Sequence, residues 1–218
     1  MKRVDIIVEG QSERDFVKEV LAPYLYDNGI KVVSPITIRT STTERGGFAK
    51  YSHLRDDIRR TLSSKDPELV VTTFFDFFRL PSNIPEKEAW ESISDHFLKA
   101  EAIENAISRD INDSRFIPYL QMHEFEALLF SSNVGFGKFW SNDVASCTQK
   151  IIDAFNTPEE INTSPSGAPS KRLQAIIPNY DKVLYGNCIA LEIGISTIMS
   201  KCPRFSMWVQ SIIEKINR

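Results

Sequence analysis

The residues of this sequence best suited to chemistry are carboxylates placed at the ends of apolar runs. Glu9 and Gly10 follow the run VDIIV at 4–8, and Asp76 follows the uncharged run VVTTFF at 70–75. A carboxylate directly after such a run is costly to bury without a partner, and a divalent cation is one such partner. Glu124 and Glu126 stand two apart in HEFEALLF, 123–130. Both face one side if the chain stays extended through Phe125. If a helix has already begun they diverge, and Glu124 is then the first choice. Glu13 lies about one helical turn beyond Glu9 and can aim at the same ion, or simply favour a helix N-terminus. A metal set of Glu9, Glu13, Asp76, Glu124 and Glu126 offers only oxygen, which points to Mg²⁺ or Mn²⁺ rather than Zn²⁺. In phosphoryl-transfer sites such ions activate a water and steady the charge on phosphorus. A cation is then needed beside the phosphate. Lys171 and Arg172 in PSKRL are the first candidates and Lys182 in NYDKVLYG the next; solvated surface charge is the plain alternative for each. The catalytic set expected is therefore Glu9, Asp76, Glu124 and Lys171. His123 is a supporting group or base, or a structural histidine; His53 and His96 belong to no constellation.

These side chains need a scaffold to bring them together. The run 4–8 reads as a buried strand, 12–28 as a helix capped by Ser12 and stopped by Asn28-Gly29, and 30–38 as a second strand. A strand, a crossing helix and a strand predict parallel pairing. A polar loop over 40–50, a helix over 51–63 and a central strand over 68–75 follow. A loop over 79–85 and a long helix over 86–110 come next. The segment 115–122 reads as a fourth strand, with Pro118 favouring an edge or a bulge, and 123–130 as a short helix. Further on, 138–155, 170–176, 184–201 and 205–216 read as helices, and the Pro/Ser/Gly/Thr-rich stretch 158–169 as a mobile connector. The expectation is an α/β protein with a mostly parallel sheet of about four strands flanked by helices. Residues 1–132 form its core, and a helical part, 133–218, packs on that core as one compact domain. In open sheets of this kind ligands bind beyond the C-terminal ends of the strands, where Glu9 and Asp76 would sit. Phe74, Phe75, Phe77 and Phe78 invite base stacking, but strand alternation sends some of them inward, and core packing is the expectation. Phe205 and Trp208 are expected to anchor the last helix.

Composition narrows the class. The 218 residues are 42% hydrophobic and 25% charged, with a net charge of −3, so no overall basic signature drives nucleic-acid binding. Cys147, Cys188 and Cys202 are sparse and unpatterned, which suits reduced thiols in a cytoplasmic protein. No run approaches the ~20 apolar residues of a membrane span. GxxxxGK[ST], GxSxG, HExxH and GxGxxG are all missing from the sequence.

VEGQSE after an N-terminal strand, with an acid ending a later apolar strand, resembles the Toprim fold of topoisomerases, primases and overcoming-lysogenization-defect (OLD) nucleases. Taken together, VEGQSERDFVKEVLAPYL, TTFFDFFRLP, FIPYLQMHEFEALLF, PSKRL, IPNYDKVLYG and CPRFSMW resemble the domain-of-unknown-function family 4276 over nearly the whole chain. The resemblance implies a Toprim-like sheet. It matches Glu9 to the first glutamate of the pattern, Glu13 to the second acid of the OLD-like branch, and Asp76 to the first Asp of the DxD. Phe78 stands where the second Asp belongs, so Glu124 or Glu126 would have to replace it. Lys171 is the carry-over for a downstream lysine. The resemblance further implies a bacterial anti-phage or mobile-element nuclease beside an ATPase on a separate chain; its substrate is nucleic acid, DNA before RNA. A metal-dependent nuclease is the leading expectation. A catalytically silent binding subunit and a nucleotidyl transferase are the alternatives.

Overall fold

The computed structural model describes residues 1–39, 50–78, 80–162 and 167–217. The loop expected over 40–50 lies outside the described residues except for Lys50. So do residue 79 of the next loop and residues 163–166 of the connector.

The chain opens with strand β1 (Arg3–Val8), whose residues from Val4 onward are buried. Helix α1 (Gln11–Phe16), a π-helical turn (Val17–Leu21) and helix α2 (Ala22–Asp27) then form one bent helical run. Pro23 has no N–H to return to the carbonyl four residues back, which accounts for the wider turn before it. Ser12 is not the cap. The helix starts one residue earlier, and the Glu13 side chain reaches back to the Gly10 N–H (3.0 Å). Gly29, at φ +90°, ends the run as expected. Strand β2 (Val32–Thr37), helix α3 (Tyr51–Leu62) and strand β3 (Leu69–Asp76) complete the first half of the sheet.

The long helix expected over 86–110 is two helices, α4 (Lys87–Trp90) and α5 (His96–Ile111). Asp95 caps the second by accepting the Leu98 N–H, so the chain restarts there. The fourth strand is likewise two pieces, β4 (Phe116–Ile117) and β5 (Leu120–Gln121), parted at Pro118. Thr73 bridges the gap: its hydroxyl accepts the Tyr119 N–H (2.8 Å) and donates to the Tyr119 carbonyl (2.9 Å). A 3₁₀ turn (Phe125–Ser131) leads to α6 (Val134–Phe139), α7 (Asn142–Asp153), a 3₁₀ turn at Pro158–Glu160, and α8 (Pro169–Ile176). Helices α9 (Lys182–Ile193), α10 (Ile195–Lys201) and α11 (Pro203–Asn217) close the chain. The helix expected over 184–201 breaks at Gly194, where α9 and α10 meet at 86°. Among the described residues no single helix is long and apolar enough to cross a membrane.

The sheet runs β2–β1–β3–β4, with β5 also on β3, and every pairing among the described residues is parallel. Alternation along β1 and β3 divides the core. Val4, Ile6, Val8, Val70 and Phe74 face the helical run after β1 and the C-terminal helices. Ile7, Leu69, Val71 and Phe75 face α3 and α5. Residues from both halves of the chain share the first of these cores. There the rings of Tyr119 and Trp208 stack at 4.5 Å, and those of Phe74 and Trp208 at 5.4 Å. Such ring pairs add about 0.5–1.5 kcal/mol each beyond area burial. The Trp208 indole N–H donates to Thr72 Oγ1 (2.8 Å), so Trp208 anchors α11 to β3. Of the phenylalanines around Asp76, Phe74 and Phe75 are fully buried. Phe77 and Phe78 are only half-buried, because the chain has left the sheet interior at that point.

Candidate functional site

Parallel strands put their C-terminal ends on one rim, and there Glu9 follows β1, Asp76 ends β3 and Glu124 follows β5. The ladder continues past Asp76. Phe77 N–H donates to the Gln121 carbonyl (2.8 Å) and Phe78 N–H to the His123 carbonyl (2.9 Å), so the β3 exit and the Glu124 segment stay side by side. His123 adopts φ +62°, which turns the chain into the 3₁₀ turn. A cavity of about 390 Å³ opens at this rim. Glu9, Asp76, Glu124, Glu126, Phe78, Tyr180 and Lys182 line it, and Ser170, Lys171 and Gln174 add the α8 side.

Glu124 and Glu126 both reach this cavity although a helix has begun. Glu124 is still extended, at φ −143°, and the turn after it is 3₁₀ rather than α. Three of the carboxylates are held by backbone N–H groups. Phe125 donates to Asp76 Oδ1 (2.8 Å), Ser170 to Glu124 Oε2 (2.9 Å) and Gly10 to Glu13 Oε2 (3.0 Å). Gly10 serves here by what it lacks: a Cβ would stand 3.3 Å from Glu13 Oε2. Glu13 is buried below the cavity wall and faces Lys182 rather than the open space.

Lys182 occupies the middle. Its Nζ lies 3.0 Å from Glu13 Oε1, 3.4 Å from Glu126 Oε2 and 3.6 Å from Asp76 Oδ2. Asp181 puts it there by capping α9, accepting the N–H groups of Val183 (2.9 Å) and Leu184 (3.1 Å). Lys171 is exposed at the rim and donates to Gln174 Oε1 (3.1 Å). Of the two lysines read from the sequence, the second candidate thus holds the centre and the first the edge. A capping Asp directly before a lysine was the signal available for this. Tyr180, Ser170 and Gln174 were not singled out at all. His123 is buried away from the carboxylates, with its ring 5.4 Å from that of His96. Burial, and then the neighbouring His96, lowers its pKa to about 4, so it is neutral near pH 7.

The electrostatics of the site favour added positive charge. Burial raises Asp76 well above the usual carboxylate range; Lys182 pulls it down, and the charges of Glu13, Glu126 and Glu9 push it further up. Glu126 is raised by the same burial, opposed by Lys182 and reinforced by Glu124 and Glu13. Burial works against the charge of Lys182, but Asp76, Glu13 and Glu126 override it and raise its pKa well above the ordinary value. Among the described residues, the buried Glu126 Oε2 receives no hydrogen bond, and the Tyr180 hydroxyl has none either.

In kind, these residues fit a hard divalent ion: every donor is oxygen, and one buried carboxylate oxygen lacks a hydrogen bond. Among the described residues, no three His, Cys, Asp or Glu side chains are grouped closely enough to ligate one ion as they stand. The carboxylates are spaced around an ammonium group, which a metal would have to share or displace.

Fold and site define a parallel α/β protein with an acidic cavity at the C-terminal rim of its sheet. The chain belongs to the family described as domain of unknown function DUF4276, whose model matches residues 8–213. No curated protein matches the sequence. Among solved structures, it is similar to the C-terminal region of the Burkholderia pseudomallei OLD protein, with 16% identity and a TM-score of 0.46. That match covers 98% of this chain and 96% of the other. It is also similar to the C-terminal region of the Xanthomonas campestris pv. campestris OLD protein, with 15% identity and a TM-score of 0.43, covering 98% and 93%.

Proposed function

We propose that this chain is a Mg²⁺- or Mn²⁺-dependent phosphodiesterase that hydrolyses nucleic acid, DNA before RNA, at the carboxylate-lined cavity. One observation carries the reading. Glu9, Asp76, Glu124 and Glu126, from segments remote in sequence, line one cavity, and the buried Glu126 Oε2 there receives no hydrogen bond from the described residues. Other buried side-chain atoms among the described residues also lack a hydrogen bond, but Glu126 Oε2 is the carboxylate oxygen among them and it lies at a rim cavity, which marks it as a ligand position. The resemblance of VEGQSE and TTFFD to Toprim nucleases agrees with it.

Drawn in from their present spacing around Lys182, Glu9, Asp76, Glu124 and Glu126 would hold the ion, which when bound would polarise a phosphoryl oxygen and acidify a water. Lys182, steadied by Glu13, offsets the negative charge that grows on the phosphoryl oxygens. Lys171 meets the backbone phosphates at the entrance. In the overall step a water oxygen bonds to phosphorus and the P–O ester bond breaks. One water proton ends on the departing oxygen, leaving a phosphate monoester and an alcohol.

The test is cleavage of DNA by the purified protein with Mn²⁺ and with EDTA, beside Glu9→Gln and Asp76→Asn. Each variant is expected to lose about a hundredfold to a thousandfold in rate with its fold intact. Undiminished cleavage by either variant would sink the reading. A second reading, a catalytically silent binding subunit, draws on one observation: Lys182 already ion-pairs with three of the carboxylates. Calorimetry with millimolar Mn²⁺ separates the two. Binding that disappears in Glu9→Gln favours the enzyme, and no binding at all favours the subunit.

A further inference from the structure

A second cavity, about 520 Å³, adjoins the acidic one, and the proposed hydrolysis makes no use of it. Its position follows from alternation at the end of β3. Asp76 and Phe78 line the acidic cavity, whereas Phe77 between them lines the second. The same holds across the rim: Glu124 faces the acidic cavity, and the His123 ring before it lies 6.4 Å from Phe77. The two cavities are therefore neighbours across one thickness of chain.

The second cavity is walled by rings, and its edge carries two ammonium groups and the Glu91 carboxylate. Phe77 is half-buried, and the ring of His96 lies 5.9 Å from it. Trp90 is buried, with its indole N–H donated to the Pro85 carbonyl (2.9 Å), so its ring serves as cavity wall, and Lys99 Nζ stands 5.8 Å from that ring. Lys87 pairs with Glu91 Oε1 (2.9 Å) and Lys99 donates to the Glu91 carbonyl (2.9 Å). Each ammonium has three N–H bonds and so keeps two to give. Aromatic faces beside cations are what a nucleobase and its phosphate bind, and stacking accepts any base because every base has a π face. The volume falls within the range of about 300–1,000 Å³ usual for small-molecule sites.

We infer that this cavity takes the base of the nucleotide next to the scissile phosphate, stacked on Phe77, with a phosphate met by Lys99 and Lys87. The inference rests on the phosphodiesterase reading for the identity of the strand, but its test does not need metal or cleavage.

The experiment measures binding of a short fluorescent single-stranded DNA by anisotropy in EDTA. Phe77→Ala is expected to raise Kd about tenfold or more, and Phe77→Trp to restore binding. Lys99→Gln is expected to weaken binding less and to lower the salt slope by about one phosphate contact. It keeps the test open should Phe77→Ala fail to fold. Thymidine 5′-monophosphate is expected to compete only at much higher concentration than the unlabelled strand. Native affinity in both Phe77→Ala and Lys99→Gln overturns the inference. So does a mononucleotide that binds as tightly as the strand, which would make the cavity a free-nucleotide site. A protein that binds DNA in this way but neither binds Mn²⁺ nor cleaves removes the phosphodiesterase reading alone.

Discussion

Glu159 and Glu126 are buried to the same degree, each 1% exposed, and the fold treats them in opposite ways. Glu159 sits just before α11 in space. Its two carboxylate oxygens accept the N–H groups of Arg204 and Phe205, both at 2.9 Å. Those are donors at the start of a helix, which have no partner within it, so the charge and the helix satisfy one another. Close by, Arg204 pairs with Glu104 (2.5 Å), whose carboxylate also accepts the Leu120 N–H (2.8 Å). Glu126 has instead a hydrogen-bond-free Oε2, other carboxylates around it and an ammonium 3.4 Å away. A buried acid with all its partners in place is architecture. One that is left short, at the rim of a sheet, is where we propose that a ligand binds.

The comparison can be broken most severely at Glu159. Glu159→Ala leaves two first-turn N–H groups buried without partners, so stability in urea unfolding should fall by about 3–5 kcal/mol. Mn²⁺ binding by the protein that remains folded should not change. A loss under 1 kcal/mol, within the reach of ordinary surface changes, would mean that Glu159 is no more structural than Glu126.

The next effect is a pH dependence. Burial pushes the Glu104 carboxyl up to about 7, against the pull of Arg204. Its folded value is above its unfolded one, so its favourable contribution is complete below about pH 4.5 and is lost as pH rises through 7. The size is on the order of 3 kcal/mol at most. Unfolding measured from pH 4 to 8, native protein minus Glu104→Gln, isolates that slope from the contributions of Asp76 and Glu126. A flat difference would show that Arg204 keeps Glu104 ionised throughout.

Glu126→Gln should do the reverse of Glu159→Ala. Removing a charge whose ion-pair partner, Lys182, keeps Glu13 and Asp76 should cost less than about 1 kcal/mol of stability, or even add some, while Mn²⁺ affinity by calorimetry weakens at least about tenfold. Equal losses of stability at positions 126 and 159 would erase the distinction. The smallest effect belongs to Lys171→Met, where an exposed rim cation is removed. Cleavage at low salt should slow about threefold, and the difference should fade as salt is added.

Much of the scaffold could be read from residue order, and the failures have definite causes. The strands ending at Glu9 and Asp76 were plain because their runs are apolar and short. The parallel pairing of β1 with β2 followed from the helix between them. The break between α4 and α5 was missed because Glu91 to Asp95 (ESISD) contains no Gly or Pro, only an Asp able to cap. The break between α9 and α10 was missed although Gly194 stands at it. Pro118 did announce an irregularity, yet the repair by Thr73 depends on a residue 46 positions from Tyr119. At the site, Glu9, Asp76, Glu124 and Glu126 were legible as rim acids. The partner of Glu13 was not, since Lys182 is far away in sequence and meets it only where α9 packs against α1.

The order of residues by itself determined which acids stand at strand ends, and therefore that they share a rim, because parallel strands all finish on the same side. It also determined the chemical kind of the site: oxygen donors with lysine nearby. Packing alone decided which lysine is central, which carboxylate keeps a hydrogen-bond-free oxygen, and that Phe77 and Phe78 open onto different cavities. Those outcomes depend on distances between segments remote along the chain, and only the closed fold defines such distances.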